Sequence, residues 1–359
     1  MPRTAELTLR SLSRACTIFS GACVDRLLER CFVLRKPARG LLHGEFEVTA
    51  ALLDHAIDRA AHYLLGEQRD DGSVRGFCLY PGASTSWITA HVCFVVESVP
   101  ALYPLARRAA EYLAASGADD GGWGYNRRVA VDCDSTAQAL MALQRYAIPY
   151  PDFLLLKLAA AQAAGGGFPT YPPAMPDAPR DGWQSTHADV SAMVVECLRR
   201  AGGHGSRVAR CEAWLVQACV DGVLPAYWWS DDAYALWLQA RTGSLTITAA
   251  PALRALFDSA LGCPQLAMAL TAAVTLGSFE PEVNAAVRRM LAAQLADGSW
   301  PCGPCLRVTS PHYRDAGQAA SGMVVADRQR VFSTAHAVAA LQCVRSYFET
   351  DDHSKVCRQ

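Results

Sequence analysis

The chain offers little that would hold a nucleic acid or a membrane. Its 359 residues carry a formal charge of −1, with 33 Lys and Arg against 34 Asp and Glu. There is no electrostatic footprint for a phosphate backbone and no basic stripe interleaved with aromatics, so nucleic acid is not an expected partner. No window approaches the roughly eighteen uninterrupted apolar residues of a membrane span. The first residues lack the charged start, apolar core and small-residue cleavage site of a secretory signal, so a cytoplasmic location without stable membrane insertion is expected. Most of the fourteen cysteines stand singly in apolar runs (Cys93, Cys197, Cys211, Cys219, Cys343). A reduced Cys acts there as a small hydrophobe, and no disulfide framework is read. Cys302-Gly303-Pro304-Cys305, with His312 beyond it, is the exception. This loop segment lacks a fourth ligand at a usual zinc spacing, and a structural role, a redox role and no role all stay open.

What is present is hydrophobic mass, 51% of the residues, enough for a sizeable core. Residues 5 to 35 read as helical, with Leu7, Leu9, Leu12, Cys16, Phe19, Val24, Leu27 and Leu28 as the apolar face, and residues 1–46 are expected to form an N-terminal helical arm. Asp25 and Glu29 interrupt the basic face that a membrane-surface helix would want.

From residue 47 onward the chain repeats. Each unit is a helix, a Gly-containing turn often preceded by Gln, and a second, more apolar helix. First helices are expected near Val48, Ala101, Asp152, Ser206, Ala250 and Glu280. Second helices are expected near Ser84, Ser135, Asp189, Asp231, Pro264 and Ser333. Six amphipathic outer helices alternating with six buried inner ones describe an all-α fold, an (α/α)6 barrel over 47–359, with inner-helix N-termini converging at one mouth. The turns repeat a QxxxGxW pattern, complete from Gln294 through Gly298 to Trp300. Degenerate copies are Gln68 to Gly72 with Val74, Gly121-Gly122-Trp123 without the Gln, Gln162 to Gly166 with Phe168, and Gln217 ahead of Gly222. The Gln satisfies orphan groups at helix ends, the Gly allows the reversal and the aromatic seals one repeat against the next.

The stretch Val131-Asp132-Cys133-Asp134-Ser135-Thr136-Ala137 places two carboxylates at the entry of an apolar helix. A helix N-terminus favours an ionised carboxylate, so a plain cap is one reading. Desolvation and like charge both raise a carboxyl pKa, so a buried proton donor is the other.

The turns look like the QW repeats of squalene-hopene and oxidosqualene cyclases, and Asp132-Cys133-Asp134-Ser135-Thr136-Ala137 resembles the DxDDTA acid motif of class II terpene cyclases. The resemblance spans about residues 47 to 348, as a single domain where those triterpene cyclases have two. It implies a protonation-initiated terpene or meroterpenoid cyclase in terpenoid biosynthesis, acting on a linear isoprenoid-containing substrate or its epoxide. By resemblance the proton donor is Asp134 and Asp132 is its supporting carboxylate; no metal or other cofactor is expected, because no full ligand set is visible around Cys263, Cys302, Cys305 or His336. Ser135 stands where the squalene-hopene motif has a third Asp. With fewer acidic neighbours, an epoxide, carbonyl or imine joins the bare alkene as a possible proton acceptor.

If the inner helices point their starts into one cavity, Trp87, His91, Asp189, Asp231, Asp232 and His336 approach Asp134. Trp87, Phe168, Tyr227, Trp228, Trp229 and Trp237 are the supply of aromatic faces for a cationic intermediate, with ordinary core packing as the alternative for each. His91 and His336 are read as hydrogen-bonded core residues, or as groups that orient Asp134 or accept the terminating proton. Two other functions compete. Zinc prenyl transfer would use Cys263 and His336, but Leu261-Gly262 stand where the matching Asp belongs and no DDxxD run is present. A non-catalytic toroid binding a peptide or protein at its mouth would need the aspartates only as caps. Oligomeric state is not readable from the sequence.

Overall fold

Between residues 50 and 67 the buried side chains are Leu53, Ala56, Ile57, Ala60, Ala61 and Leu64, one stripe of a helix with a single face to the core. They form α1 (Ala50–Glu67), opened by Thr49, whose hydroxyl accepts from the Leu52 N–H at 3.3 Å. The next helix, α2 (Ser86–Val95), is of another kind, because all ten of its residues are buried. A helix buried on every side has to be surrounded by other elements.

That alternation continues in the computed structural model, which describes residues 48–356 apart from 118–120, 173–181, 278 and 320–321, with side chains described to 347. The expected N-terminal arm lies outside the described residues. Amphipathic helices α3 (Tyr103–Ser116), α5 (Asp152–Ala160), α7 (Gly205–Ala218), α9 (Ala250–Phe257) and α11 (Glu280–Ala293) alternate with α4 (Cys133–Arg145), α6 (Ala188–Ala201), α8 (Ala233–Thr242), α10 (Cys263–Leu276) and α12 (Val331–Val356). Each of the twelve begins within two residues of the position expected from the sequence. The even-numbered helices pack in a closed ring, α2 on α4, α4 on α6, α6 on α8, α8 on α10, α10 on α12 and α12 back on α2. The odd-numbered ones lie outside. This is an all-α (α/α)6 barrel.

The Gln–Gly turns stitch the outer layer together. Gln68 Nε2 donates to Gly72 O and Leu105 O, Gln162 Nε2 to Gly166 O and Arg207 O, and Gln294 Nε2 to Gly298 O and Ala56 O, every one at 2.9 Å. Each Gln thus bonds its own turn and a carbonyl of the next outer helix, and the last turn is tied to the first helix. Gly298 adopts φ +88°, and a Cβ there would lie 2.3 Å from Arg59 O. The Gln217 copy departs from expectation. Gln217 is exposed, and Gln239 of α8 holds Gly222 O at 2.9 Å instead.

Short strands shape the mouth. β1 (Cys78–Leu79) pairs with β2 (Gly82–Ala83), and β3 (Pro304–Val308) pairs antiparallel with β4 (Met323–Ala326). The segment around Cys305, read from sequence as loop, is therefore strand. β3 also joins the loop before α8, through Ser230 N–H to Cys305 O at 3.0 Å and Arg307 N–H to Trp228 O at 2.8 Å. At the other end of the inner helices, Glu97 receives Arg145, Arg200 and Arg241, cations placed where helix C-termini favour them.

Candidate active site

The first turns of α2, α4, α6 and α8 converge on a cavity of about 510 Å³, supplying Trp87, Asp134, Asp189 and Tyr234 to its wall. β3 closes one side with Leu306, Arg307 and Val308, and the β1–β2 turn supplies Leu79 to Pro81. This volume suits a small molecule largely enclosed by apolar wall.

Asp134 sits in the first turn of α4, two residues after Asp132, which is the N-cap. The Asp132 carboxylate accepts the Ser135 N–H at 2.6 Å and the Ser135 hydroxyl at 2.7 Å. Ser135 thus holds Asp132 in place. Asp134 Oδ2 accepts from Trp87 Nε1 at 2.7 Å and from Gln138 Nε2 at 2.9 Å. Among the described residues no donor ends on Oδ1, so this second oxygen is the one left for a ligand.

Burial raises the Asp134 carboxyl to about 6, and the negative charge of Asp189 adds to it, while the bonds from Trp87 and Gln138 pull it down. Burial, then the Asp134 charge, raises Asp132 to about 8 against the two Ser135 bonds. Asp132 therefore keeps its proton to higher pH than Asp134 does. Repulsion between Asp132 and Asp134 is mutual, and Asp189 on α6 adds a second carboxylate whose charge raises Asp134. Asp189 itself is raised to about 6 by burial, opposed by backbone N–H groups of Trp228, Val190 and Tyr227. Two buried carboxyls, Asp132 and Asp189, and the half-buried Asp134 share one mouth and titrate together, and at neutral pH they hold fewer than three negative charges.

The other expected site residues divide. Trp87, Trp228 and Trp229 line the cavity. Trp229 stacks on Tyr234 at 3.8 Å between centroids, and Trp228 Nε1 donates to Thr170 Oγ1 at 2.9 Å. Phe168, Tyr227 and Trp237 do not line it. They are fully buried core, Tyr227 stacked on His187 and Trp237 against His336. His91 and His336 lie behind the wall, their Nε2 atoms 3.0 Å apart. Asp231 and Asp232 line a neighbouring polar cavity of about 430 Å³, on the other side of Arg307 and Trp229. The His336 Nε2 that a zinc site would use is engaged by His91, and among the described residues no three His, Cys, Asp or Glu side chains converge as metal ligands.

Three residues that the sequence did not single out belong to the site. Gln138 orients Asp134 and is buried in α4. Tyr234 stacks in the cavity wall. Arg307 is 7% exposed, its Nη1 reaches Ala226 O at 3.2 Å, and its Nε has no partner among the described residues. The only signal for it was a charged residue inside the apolar run Cys305-Leu306-Arg307-Val308.

Solved structures of the same architecture exist. The type II terpene cyclase MstE from Scytonema is 21% identical, over 84% of this chain and 100% of that one, with a TM-score of 0.69. Its variants have been solved with geranylgeranyl dihydroxybenzoate as substrate and with merosterolic acid A as product. A protein from Actinoplanes is 24% identical over 81% of this chain and 99% of its own, at a TM-score of 0.68. A possible GH105 family member from Salmonella enterica is 11% identical over 87% of this chain and 100% of its own, at 0.52. No protein-family profile and no curated protein matches the chain. These likenesses establish the α/α barrel, a frame that carries more than one chemistry.

Proposed function

We propose that the chain is a class II, protonation-initiated terpene or meroterpenoid cyclase with Asp134 as its general acid. The observation that carries this is the pairing of a half-buried carboxyl, held through Oδ2 with Oδ1 left for a ligand, with a cavity walled by Trp87, Trp228, Trp229 and Tyr234. The proton passes from Asp134 Oδ1 to a terminal alkene carbon or epoxide oxygen. The alkene π pair forms the new C–H bond and leaves a tertiary cation; in an epoxide an oxygen lone pair takes the proton, and the C–O bond at the tertiary carbon breaks with its pair going to oxygen, leaving a hydroxyl and the tertiary cation. The next double bond attacks that cation, and each ring formed passes the charge onward along aromatic faces that stabilise it without reacting. Loss of a proton or capture by an internal nucleophile ends the cascade, and Asp134, left anionic, takes up a proton before the next turnover.

Arg307 supports a substrate with an acidic or hydrogen-bonding head. Its guanidinium is fixed in the β3 wall of the cavity that Asp134 also lines, so one ligand can meet a cation at one end and an acid at the other. The dihydroxybenzoate head on the MstE substrate is of that kind.

The test is incubation with linear isoprenoids, their terminal epoxides and geranylgeranyl dihydroxybenzoate in D2O. A cyclase of this class gives a product isomeric with its substrate, carrying one carbon-bound deuterium from an alkene start and only an exchangeable hydroxyl deuterium from an epoxide start. Absence of any isomeric product across the panel, with the substrates bound, sinks this reading.

A further inference from the structure

A line of side chains runs from the acid into the closed interior. Asp134 Oδ2 accepts from Gln138 Nε2 at 2.9 Å, Gln138 Oε1 meets His91 Nδ1 at 2.9 Å, and His91 Nε2 meets His336 Nε2 at 3.0 Å. The three positions come from α4, α2 and α12. Gln138 and the two histidines are buried, and His91 is stacked face to face on Trp87 and Phe332. Such a chain has two self-consistent polarities. In one, the Gln138 NH2 faces Asp134, so its oxygen accepts from His91 Nδ1–H, and the unprotonated His91 Nε2 accepts from His336 Nε2–H. In the other every bond is reversed, and Asp134 Oδ2 has to carry a proton toward the Gln138 oxygen. The indole of Trp87 is a donor only, and it points at the same Oδ2. An oxygen that receives two donors is best unprotonated, which selects the first polarity.

We infer that His336, His91 and Gln138 are positioning residues that lock this polarity, keeping the proton of Asp134 on Oδ1 and toward the cavity. Burial holds both imidazoles neutral, since His91 is lowered to about 4 and His336 is lowered well below its ordinary value, with the Arg241 charge adding to burial. The line therefore orients and does not conduct. The groups that face Asp134 from other elements are Asp189 on α6 and the phenol of Tyr234 on α8, with Asp132 and Cys133 beside it on α4; Arg241 of α8 faces His336. None of these donates to Oδ2, so loss of the Gln138 bond is not made good by a neighbour.

The inference deepens the general-acid reading, but its test needs no substrate and can fail by itself. In the 15N-labelled chain at neutral pH, long-range 1H–15N spectra should show His91 as the Nδ1–H tautomer and His336 as the Nε2–H tautomer. The Trp87 indole resonance should titrate near pH 6, and this titration should vanish in Asp134→Asn. Gln138→Leu removes a donor to the anion and should raise the midpoint by about one pH unit. His91→Phe keeps the stack and frees the Gln138 amide to turn, so it should raise the midpoint too. His91→Asn keeps a donor for Gln138 Oε1 and should stay at the wild-type value. His91 found as the Nε2–H tautomer overturns the inference. So does a wild-type midpoint in folded Gln138→Leu and His91→Phe, or an Asn variant that moves as far as the Phe one.

Discussion

Trp87 and Asp134 are joined across two inner helices by a 2.7 Å bond from the indole N–H to Oδ2. One side chain is thus both an aromatic face of the cavity and a tuner of the acid. Trp87→Phe keeps most of the apolar surface and removes the donor. The Asp134 anion loses stabilisation, its pKa rises and it becomes a weaker acid. The limiting cyclisation rate below pH 6, where the acid is fully protonated, is expected to fall up to about tenfold, and the alkaline limb of the pH–rate profile should move up by roughly one pH unit.

Asp134→Asn preserves size and most hydrogen bonding and has no proton to transfer. Single-turnover cyclisation should slow at least about a hundredfold while circular dichroism stays at wild type. A wild-type rate in the folded variant would reduce Asp134 to a structural residue of the helix entry.

Asp132 makes stability depend on pH in an unusual sense. Its folded-state pKa is raised from 3.8 to about 8, so across that window the folded chain keeps a proton that the unfolded chain has released. Stability is full below 3.8 and is lost as pH rises toward about 8, and the smaller rises of Asp134 and Asp189 act in the same sense. The melting temperature should fall between pH 5 and pH 8. Asn is as good an N-cap as Asp, so Asp132→Asn should flatten that fall and be at least as stable as wild type at pH 8. A parallel decline in both proteins would refute the assignment.

Arg307→Met should weaken a substrate with an acidic head and leave a headless isoprenoid unaffected, read as a KM increase of tenfold or more for the first at nearly constant kcat. Equal losses on both substrates would show that Arg307 serves the wall and not the head.

Gly298→Ala tests the stitching of the barrel. It combines a positive φ with a Cβ driven to 2.3 Å from Arg59 O, and a loss of about 1–3 kcal/mol or more is expected in denaturant unfolding.

The architecture was legible because burial writes itself into periodicity. The one-sided stripe of Leu53 to Leu64 and the all-round burial of Ser86 to Val95 are different patterns, and their alternation implies a ring. The acid pair was legible as a local string. What the string did not carry was its surroundings: which aspartate caps depends on where α4 begins, and a further carboxylate charge beside Asp134 arrives from Asp189 on another helix. Phe168, Tyr227 and Trp237 show the same limit, since an aromatic near an inner-helix start faces either the cavity or the core according to the rotation of its element. Arg307 and the β3–β4 hairpin were hidden because short strands have too little periodicity to register, and the partner of β3 in the loop before α8 is far away in sequence.

The closure of the ring by α12 on α2 brings together His91 and His336, 245 positions apart. Synthesis runs from the first to the last, so a ribosome-bound chain already holds Asp132, Asp134, Trp87 and Gln138 while the segment that sets their polarity has not yet emerged. The reactive end of the molecule is finished last. A chain interrupted before α12 lacks one wall of the ring along with His336, and so a truncated product loses the last member of the line that ends on the acid.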